Sequence, residues 1–421
     1  MHRRILLSLF LLFLSDLISA AVVKVEADPG KGFSWPYYLN IPDVVTGDTL
    51  LVEPNNTGHP DDDPAVHDTA AGQLVGWRAN YVTALGSPLL IPAFPRPMTD
   101  WLVYTHALDR DCLTTTIAGL ERLDLQLIAM IGDAQGRLAG DGVALVQKVF
   151  IMGFSASGMF ANRFTALHPD RVKAAAVGSP GGWPLAPLGE WQGETLRYNV
   201  GVADLEELVG VPFDTGRFSK VPLYFYIGDQ DTNDSVIYED GYETQDKDLV
   251  FALFGATPVE RWPKAQELYE AAACNAQFVL YPGIGHSITG EMESDVIEFF
   301  LSVENEPETA DEDIAVTDDI MTTDEDVAVT DDIMATDEDS LLGDDAVEQD
   351  DTDALLSDEA AEQEQNESNM SDVTDNDQAD PTDDEINPPD DAADAAIPDE
   401  AVTFDADSVP AGDGCGCTLV F

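Results

Sequence analysis

The sequence predicts an α/β domain, a mostly parallel sheet with crossover helices, followed by a disordered acidic tail. Three observations carry this. Short apolar runs alternate with longer stretches of helical spacing, which is the pattern of strands joined by crossover helices. Acidic residues crowd the last quarter of the chain. The residues able to do chemistry fall on turns directly after apolar runs, where open parallel sheets bind their ligands.

The charge sets the boundary between the two parts. Among 421 residues the net charge is −62. Residues 304–421 hold 42 acids with no Lys or Arg, while the first 303 hold the other 39 acids, all 19 bases and all six Trp. A segment so charged and so poor in large apolar groups cannot offset its chain entropy by burial. Two globular domains of similar size are therefore excluded, and so is electrostatic binding to nucleic acid or an anionic membrane.

Residues 1–21 read as a secretory signal peptide. Arg3 and Arg4 precede an apolar run from Ile5 to Leu14, and small residues follow at Ser19-Ala20-Ala21. The run is too short to span a bilayer comfortably. The protein is expected to be secreted or displayed at the cell surface. Export would permit a disulfide between Cys112 and Cys274, although the element order sets them near opposite ends of the sheet.

The elements follow in order over residues 22–303. A strand at Thr49–Val52 ends in the turn Pro54-Asn55-Asn56-Thr57-Gly58, and a helix over Val66–Leu85 stops at Gly86. The strand Pro88–Ile91 is halted by a Pro-rich run, and apolar spacing predicts a helix over Thr114–Ile131. A strand at Val146–Met152 is backed by the helix Met159–Leu167. Val172–Val177, Leu223–Ile227 and Phe278–Tyr281 complete the strands, with the helix Trp262–Ala273 between the last two. Residues 178–220, rich in Gly, Pro and Trp, read as an inserted cap. Trp183 and Trp191 are expected to be exposed there and to shape specificity.

Val146–Met152 runs into Gly153-Phe154-Ser155-Ala156-Ser157-Gly158 and then a helix. This is the setting of a nucleophile elbow, where small neighbours let a strained turn expose one hydroxyl. Ser155 is the candidate nucleophile, because Ser157 would set Met159 at the tight crossing. A serine needs a base, and the base an orienting acid, here in the chain order serine, acid, histidine. His286, glycine-flanked after the last strand, is the candidate base, since His168 lies behind the elbow helix. The turn after Leu223–Ile227 offers Asp229, Asp231 and Asp234, with Asp231 preferred. An oxyanion needs preorganised N–H donors. Ala156 supplies one, and Asn55 or Asn56 the other.

These three turns and their order resemble the α/β-hydrolase fold family. Within it the chain resembles secreted bacterial esterases of the polyhydroxybutyrate depolymerase and feruloyl esterase type, over about Tyr37–Leu301. The resemblance implies an eight-stranded, mostly parallel sheet and ester hydrolysis through an acyl-enzyme on Ser155, with no cofactor. The substrate expected is a small-molecule or polymer-linked ester. A serine peptidase and a non-catalytic surface binding protein on the same scaffold are the alternatives.

A metal reading attaches to His59, Asp61, Asp62, Asp63, His67 and Asp68, which lie within ten residues, but a proline-flanked loop of this kind is usually solvated and no metal is assigned. In the tail, residues 311–321 recur at 324–334, and a third copy starts at Asp337. Residues 304–411 thus read as a self-repelling spacer. Residues 412–421 carry Cys415 and Cys417 in a Gly/Cys motif similar to the start of bacterial sorting signals, which would attach the chain to a cell surface. The oligomeric state is open.

Overall fold

The computed structural model describes residues 21–305. The expected signal peptide (but for Ala21), the spacer from residue 306 onward and the terminal Gly/Cys motif lie outside the described residues.

The sheet is built outward from its most apolar strands. β1 (Ala21–Val25), β2 (Tyr37–Ile41), β3 (Leu51–Val52), β4 (Leu89–Pro92), β5 (Val149–Phe154), β6 (Val172–Gly178), β9 (Leu223–Gly228) and β10 (Ala276–Tyr281) form one eight-stranded sheet. The order is β1-β2-β4-β3-β5-β6-β9-β10. β5 and β9 are buried along their whole length and lie inside the sheet, whereas the outer strands β1 and β10 are partly exposed. A strand buried on both faces needs no alternation, so these interior strands read as continuous apolar runs. β1 and β2 pair antiparallel, as do β2 and β4, and the pairs from β4 through β10 are parallel.

Alternate side chains of each strand serve two cores. Val149, Ile151, Val177, Phe225 and Ile227 face α4 (Leu123–Gly140), α5 (Ala156–Leu167) and α9 (Pro258–Ala271). Phe150, Met152, Ala176, Tyr224 and Tyr226 face α1 (Pro64–Trp77), α2 (Ala79–Leu85) and α10 (Gly290–Glu304). Helices thus cover both faces, as the sequence predicts. Among the described residues no helix is long and apolar enough to cross a membrane.

Several boundaries differ from the sequence expectation. The helix expected over Val66–Leu85 breaks into α1 and α2 at Arg78, which has φ −96° and ψ 9° and whose side chain bonds the Glu53 carboxylate. The helix expected over Thr114–Ile131 begins only at Leu123. Gly119, at φ +86°, turns the chain beneath Trp35, whose indole N–H donates to the Gly119 carbonyl at 2.7 Å, and Arg122 sits at φ 46°. α3 (Arg110–Thr114) precedes that turn. The hairpin β1–β2, α8 (Thr244–Phe254) and α10 are not expected from the sequence, although α8 ends in the apolar run Leu249–Phe254. Glu304, assigned by its charge to the tail, belongs to α10, and its carboxylate accepts the Asp48 N–H at 2.9 Å.

Residues 178–220 fold into the small hairpin β7 (Glu190–Trp191) and β8 (Glu194–Thr195) with the short helices α6 (Leu205–Val209) and α7 (Thr215–Phe218). Trp183 is not exposed. It is 1% accessible, stacks on Phe254 at 4.1 Å, and donates from Nε1 to the Val200 carbonyl.

Candidate active site

The elbow forms because β5 must turn sharply into α5. Ser155 carries the turn at φ 62° and ψ −126°, a conformation costly for a residue with a Cβ and held only by surrounding packing. Its neighbours make room. A Cβ on Gly153 would lie 2.2 Å from the Ser157 carbonyl oxygen, and one on Gly158 would lie 2.5 Å from that of Gly178. The close crossing therefore falls on Gly158, one residue later than in G-x-S-x-G. Ser157 is 3% accessible, and its Oγ donates to the Phe154 carbonyl (2.8 Å) and accepts the Phe154 N–H (3.0 Å). It braces the turn, while Ser155 is half-buried at the cavity.

His286 arrives on the loop after β10. Gly228 permits this, since a Cβ there would sit 2.0 Å from the Ile284 carbonyl oxygen. The loop is laced to the turn after β9: Gln230 N–H donates to Ile284 O at 2.9 Å, and Gly283 N–H to the Asp229 carboxylate at 2.6 Å. Asp231, 1% accessible, meets His286 Nδ1 at 2.9 and 3.1 Å. Its Oδ1 also accepts the Asn233 N–H at 2.9 Å. A buried carboxylate on Nδ1 directs Nε2 away from it. The other two aspartates have separate tasks. Asp229 holds the histidine loop, and Asp234 pairs with the fully buried Arg261 at 2.8 and 2.9 Å.

Ser155 and His286 line one cavity of about 540 Å³. No hydrogen bond joins them among the described residues. Asn56, Thr57, Gly58 and His59 form one wall, and residues of α1 from Val66 to Trp77 another. Asn233, Ser235, Tyr238 and Asp240 close a third side. No residue of 178–220 reaches the cavity, which corrects the expectation that this segment shapes specificity. The two oxyanion candidates on the early loop also separate. Asn56 lines the cavity, whereas Asn55 is buried behind it, with its amide bonded to the backbone of Phe94.

Sequence reading missed the charged floor of this cavity. Glu53 directly follows β3, and Arg78 grips it at 2.6 and 2.8 Å. Burial disfavours the Arg78 cation, and the Glu53 carboxylate more than offsets this, so its pKa rises. Arg96 crosses from the Pro-rich loop to Asp240 at 2.7 Å and lies over the Tyr104 ring at 3.8 Å. Glu53 and Arg96 both come just after strands, so the strand-end rule could have found them.

The remaining candidates have structural partners. His168 bonds Asp124 at 2.8 Å behind the elbow helix. Cys112 and Cys274 are free thiols, the first fully buried, and burial pushes the Cys274 pKa up to about 12. Among the described residues no three His, Cys, Asp or Glu side chains are grouped to hold a metal ion. Asp62 holds Met98 and Thr99, Asp63 caps α1, and Asp68 pairs with Lys24.

No family model matches the sequence, and no curated protein is similar to it. Several solved structures overlay on it. Poly(aspartic acid) hydrolase-1 from Sphingomonas sp. KT-1 shares 18% identity over 66% of this chain and 97% of its own, with a TM-score of 0.46. LpqC, a poly(3-hydroxybutyrate) depolymerase from Bordetella parapertussis, shares 19% over 68% and 90%, with a TM-score of 0.46. Est1E from Butyrivibrio proteoclasticus shares 16% over 68% and 99%, with a TM-score of 0.33. Independently of those overlays, the sheet order, the helices on both faces and the strained serine turn after β5 give this chain the α/β-hydrolase fold.

Proposed function

We propose that the protein is an exported serine hydrolase acting on carboxylic esters. One observation carries this reading: Ser155, held at φ 62°, shares a cavity with His286, whose Nδ1 is bonded to the buried Asp231. A strained serine beside an oriented imidazole is the arrangement that acyl transfer needs.

Ser155 Oγ attacks the ester carbonyl carbon as His286 Nε2 takes its proton. Asp231 stabilises the imidazolium that results. The carbonyl oxygen, now an anion, is met by the backbone N–H of Ala156 and that of Asn56. Collapse of this intermediate breaks the bond to the alcohol, which leaves with the proton from His286. Water, deprotonated by the same nitrogen, then attacks the acyl-enzyme, and Ser155 regains its proton as the acid departs. The cavity, with Trp77, Tyr104 and Tyr238 among polar groups, suits an ester with an apolar acyl or aryl portion.

The test is hydrolysis of a short-chain nitrophenyl ester by the purified protein and by Ser155→Ala. The variant should lose activity by several orders of magnitude and resist a fluorophosphonate probe. Wild-type rates in the variant would refute the assignment. Absence of both hydrolysis and labelling in the wild type would favour a binding protein on this fold.

A further inference from the structure

Behind the oxyanion loop lies a buried polar cluster that the reaction itself does not use. His67 and His106 are both 0% accessible and meet edge to face, with ring centroids 5.4 Å apart. His106 Nε2 lies 2.9 Å from the Phe94 carbonyl and 3.1 Å from Asn55 Nδ2, which donates to that same carbonyl. The carbonyl can only accept and the Thr57 N–H faces Nδ1, so Nε2 carries the proton. Nδ1 is then bare, and it accepts the Thr57 N–H at 3.4 Å. His67 repeats the logic. Its Nε2 donates to the Asp61 carbonyl at 3.0 Å, leaving Nδ1 to accept the Thr57 hydroxyl at 2.8 Å. In the same cluster, the Asn55 amide accepts from Phe94 N–H and donates to Phe94 O.

Asn56 therefore sits between two clamped neighbours. We propose that His106 and His67 are positioning residues, gripping the N–H and the hydroxyl of Thr57 so that the Asn56 N–H stays aimed at the oxyanion. The inference rests on the hydrolase reading above. Burial supports it by lowering the His106 pKa to about 3, which keeps Nδ1 free to accept at any working pH. A donor fixed before the reaction costs no reorganisation when charge develops, and a loosened one loses that advantage.

The test compares full-length wild type, His106→Leu, His106→Asn and Thr57→Val in nitrophenyl ester hydrolysis and in the rate of fluorophosphonate labelling at Ser155. His106→Leu and Thr57→Val should lower kcat roughly tenfold to a hundredfold with KM nearly unchanged, less than outright removal of a donor. Labelling should slow in parallel. His106→Asn, which sets an amide oxygen near the Nδ1 position, should recover most of kcat. Thr57 is half-buried and Val matches its shape, so that variant decides the matter if His106→Leu does not fold. Wild-type kcat in Thr57→Val and in folded His106→Leu overturns the inference alone. A wild type that neither hydrolyses ester nor labels at Ser155 overturns the hydrolase reading and this inference with it.

Discussion

Gly158 lies against the Gly178 carbonyl oxygen so closely that a Cβ would come within 2.5 Å of it. That contact, between the first turn of α5 and the end of β6, lets the helix pack behind a strained serine. Gly158→Ala must push apart two backbones, so we expect a loss of about 1–3 kcal/mol in urea unfolding. Ser157→Ala removes the side-chain acceptor of the buried Phe154 N–H and should cost about 1–3 kcal/mol. Stability equal to wild type in both variants would show that the elbow is not held this way.

The three aspartates after β9 should separate by the property each controls. Asp231→Asn should lower kcat by roughly 10³–10⁴-fold with little change in folding, since the imidazole loses its orienting charge. Asp234→Asn leaves the fully buried Arg261 without its ion pair and should cost about 3–5 kcal/mol of stability. Asp229→Asn should stay within about tenfold of wild-type kcat, because its carboxylate holds the Gly283 N–H rather than His286. Steady-state kinetics beside chemical denaturation would reveal any exchange of these roles.

Asp109 provides a dependence on pH. Its carboxyl caps α3 by accepting the Cys112 N–H at 3.0 Å, and burial raises its pKa from 3.8 to about 7. The folded state therefore holds this proton more tightly than the unfolded chain does. Its contribution is fully present below pH 3.8 and is lost as pH rises through about 7. Asp109→Asn keeps the cap without an ionisable group. Its stability relative to wild type should grow between about pH 4 and pH 7, reaching roughly 1–4 kcal/mol. A constant difference across urea titrations at several pH values would contradict the burial argument.

The aromatic residues divide in the same manner. Trp183→Ala should cost about 3–5 kcal/mol by opening a cavity beside Phe254. Trp191→Ala lies outside the cavity and should leave KM for a nitrophenyl ester unchanged. Tyr238 lines the cavity and is 61% accessible, so Tyr238→Ala should raise KM several-fold. An effect of Trp191→Ala on KM that matches that of Tyr238→Ala would return residues 178–220 to the binding surface.

Short-range patterns were enough to read the α/β class, the interior strands and the turns that bear Ser155, Asp231 and His286. Apolar period and turn chemistry act over a few residues, so they are written locally in the chain. The edge hairpin β1–β2 and the break at Arg78 were not legible, because partial burial blurs the first and no Gly or Pro stands at the second. The segregation of acids into residues 304–421 was a property of composition alone.

Only tertiary structure decided which groups meet. Three aspartates in one turn are nearly equivalent by sequence, yet only Asp231 reaches His286, 55 residues away, while Asp234 is taken by Arg261. Thr57 is held by His106 across 49 residues, and Arg96 reaches Asp240 across 144. Such pairings depend on how strands and loops pack after the chain has closed on itself. For the same reason the cavity wall came from the loops around 56–59 and 233–240 and from α1, while Trp183 turned into the core and Trp191 is half-buried away from the cavity.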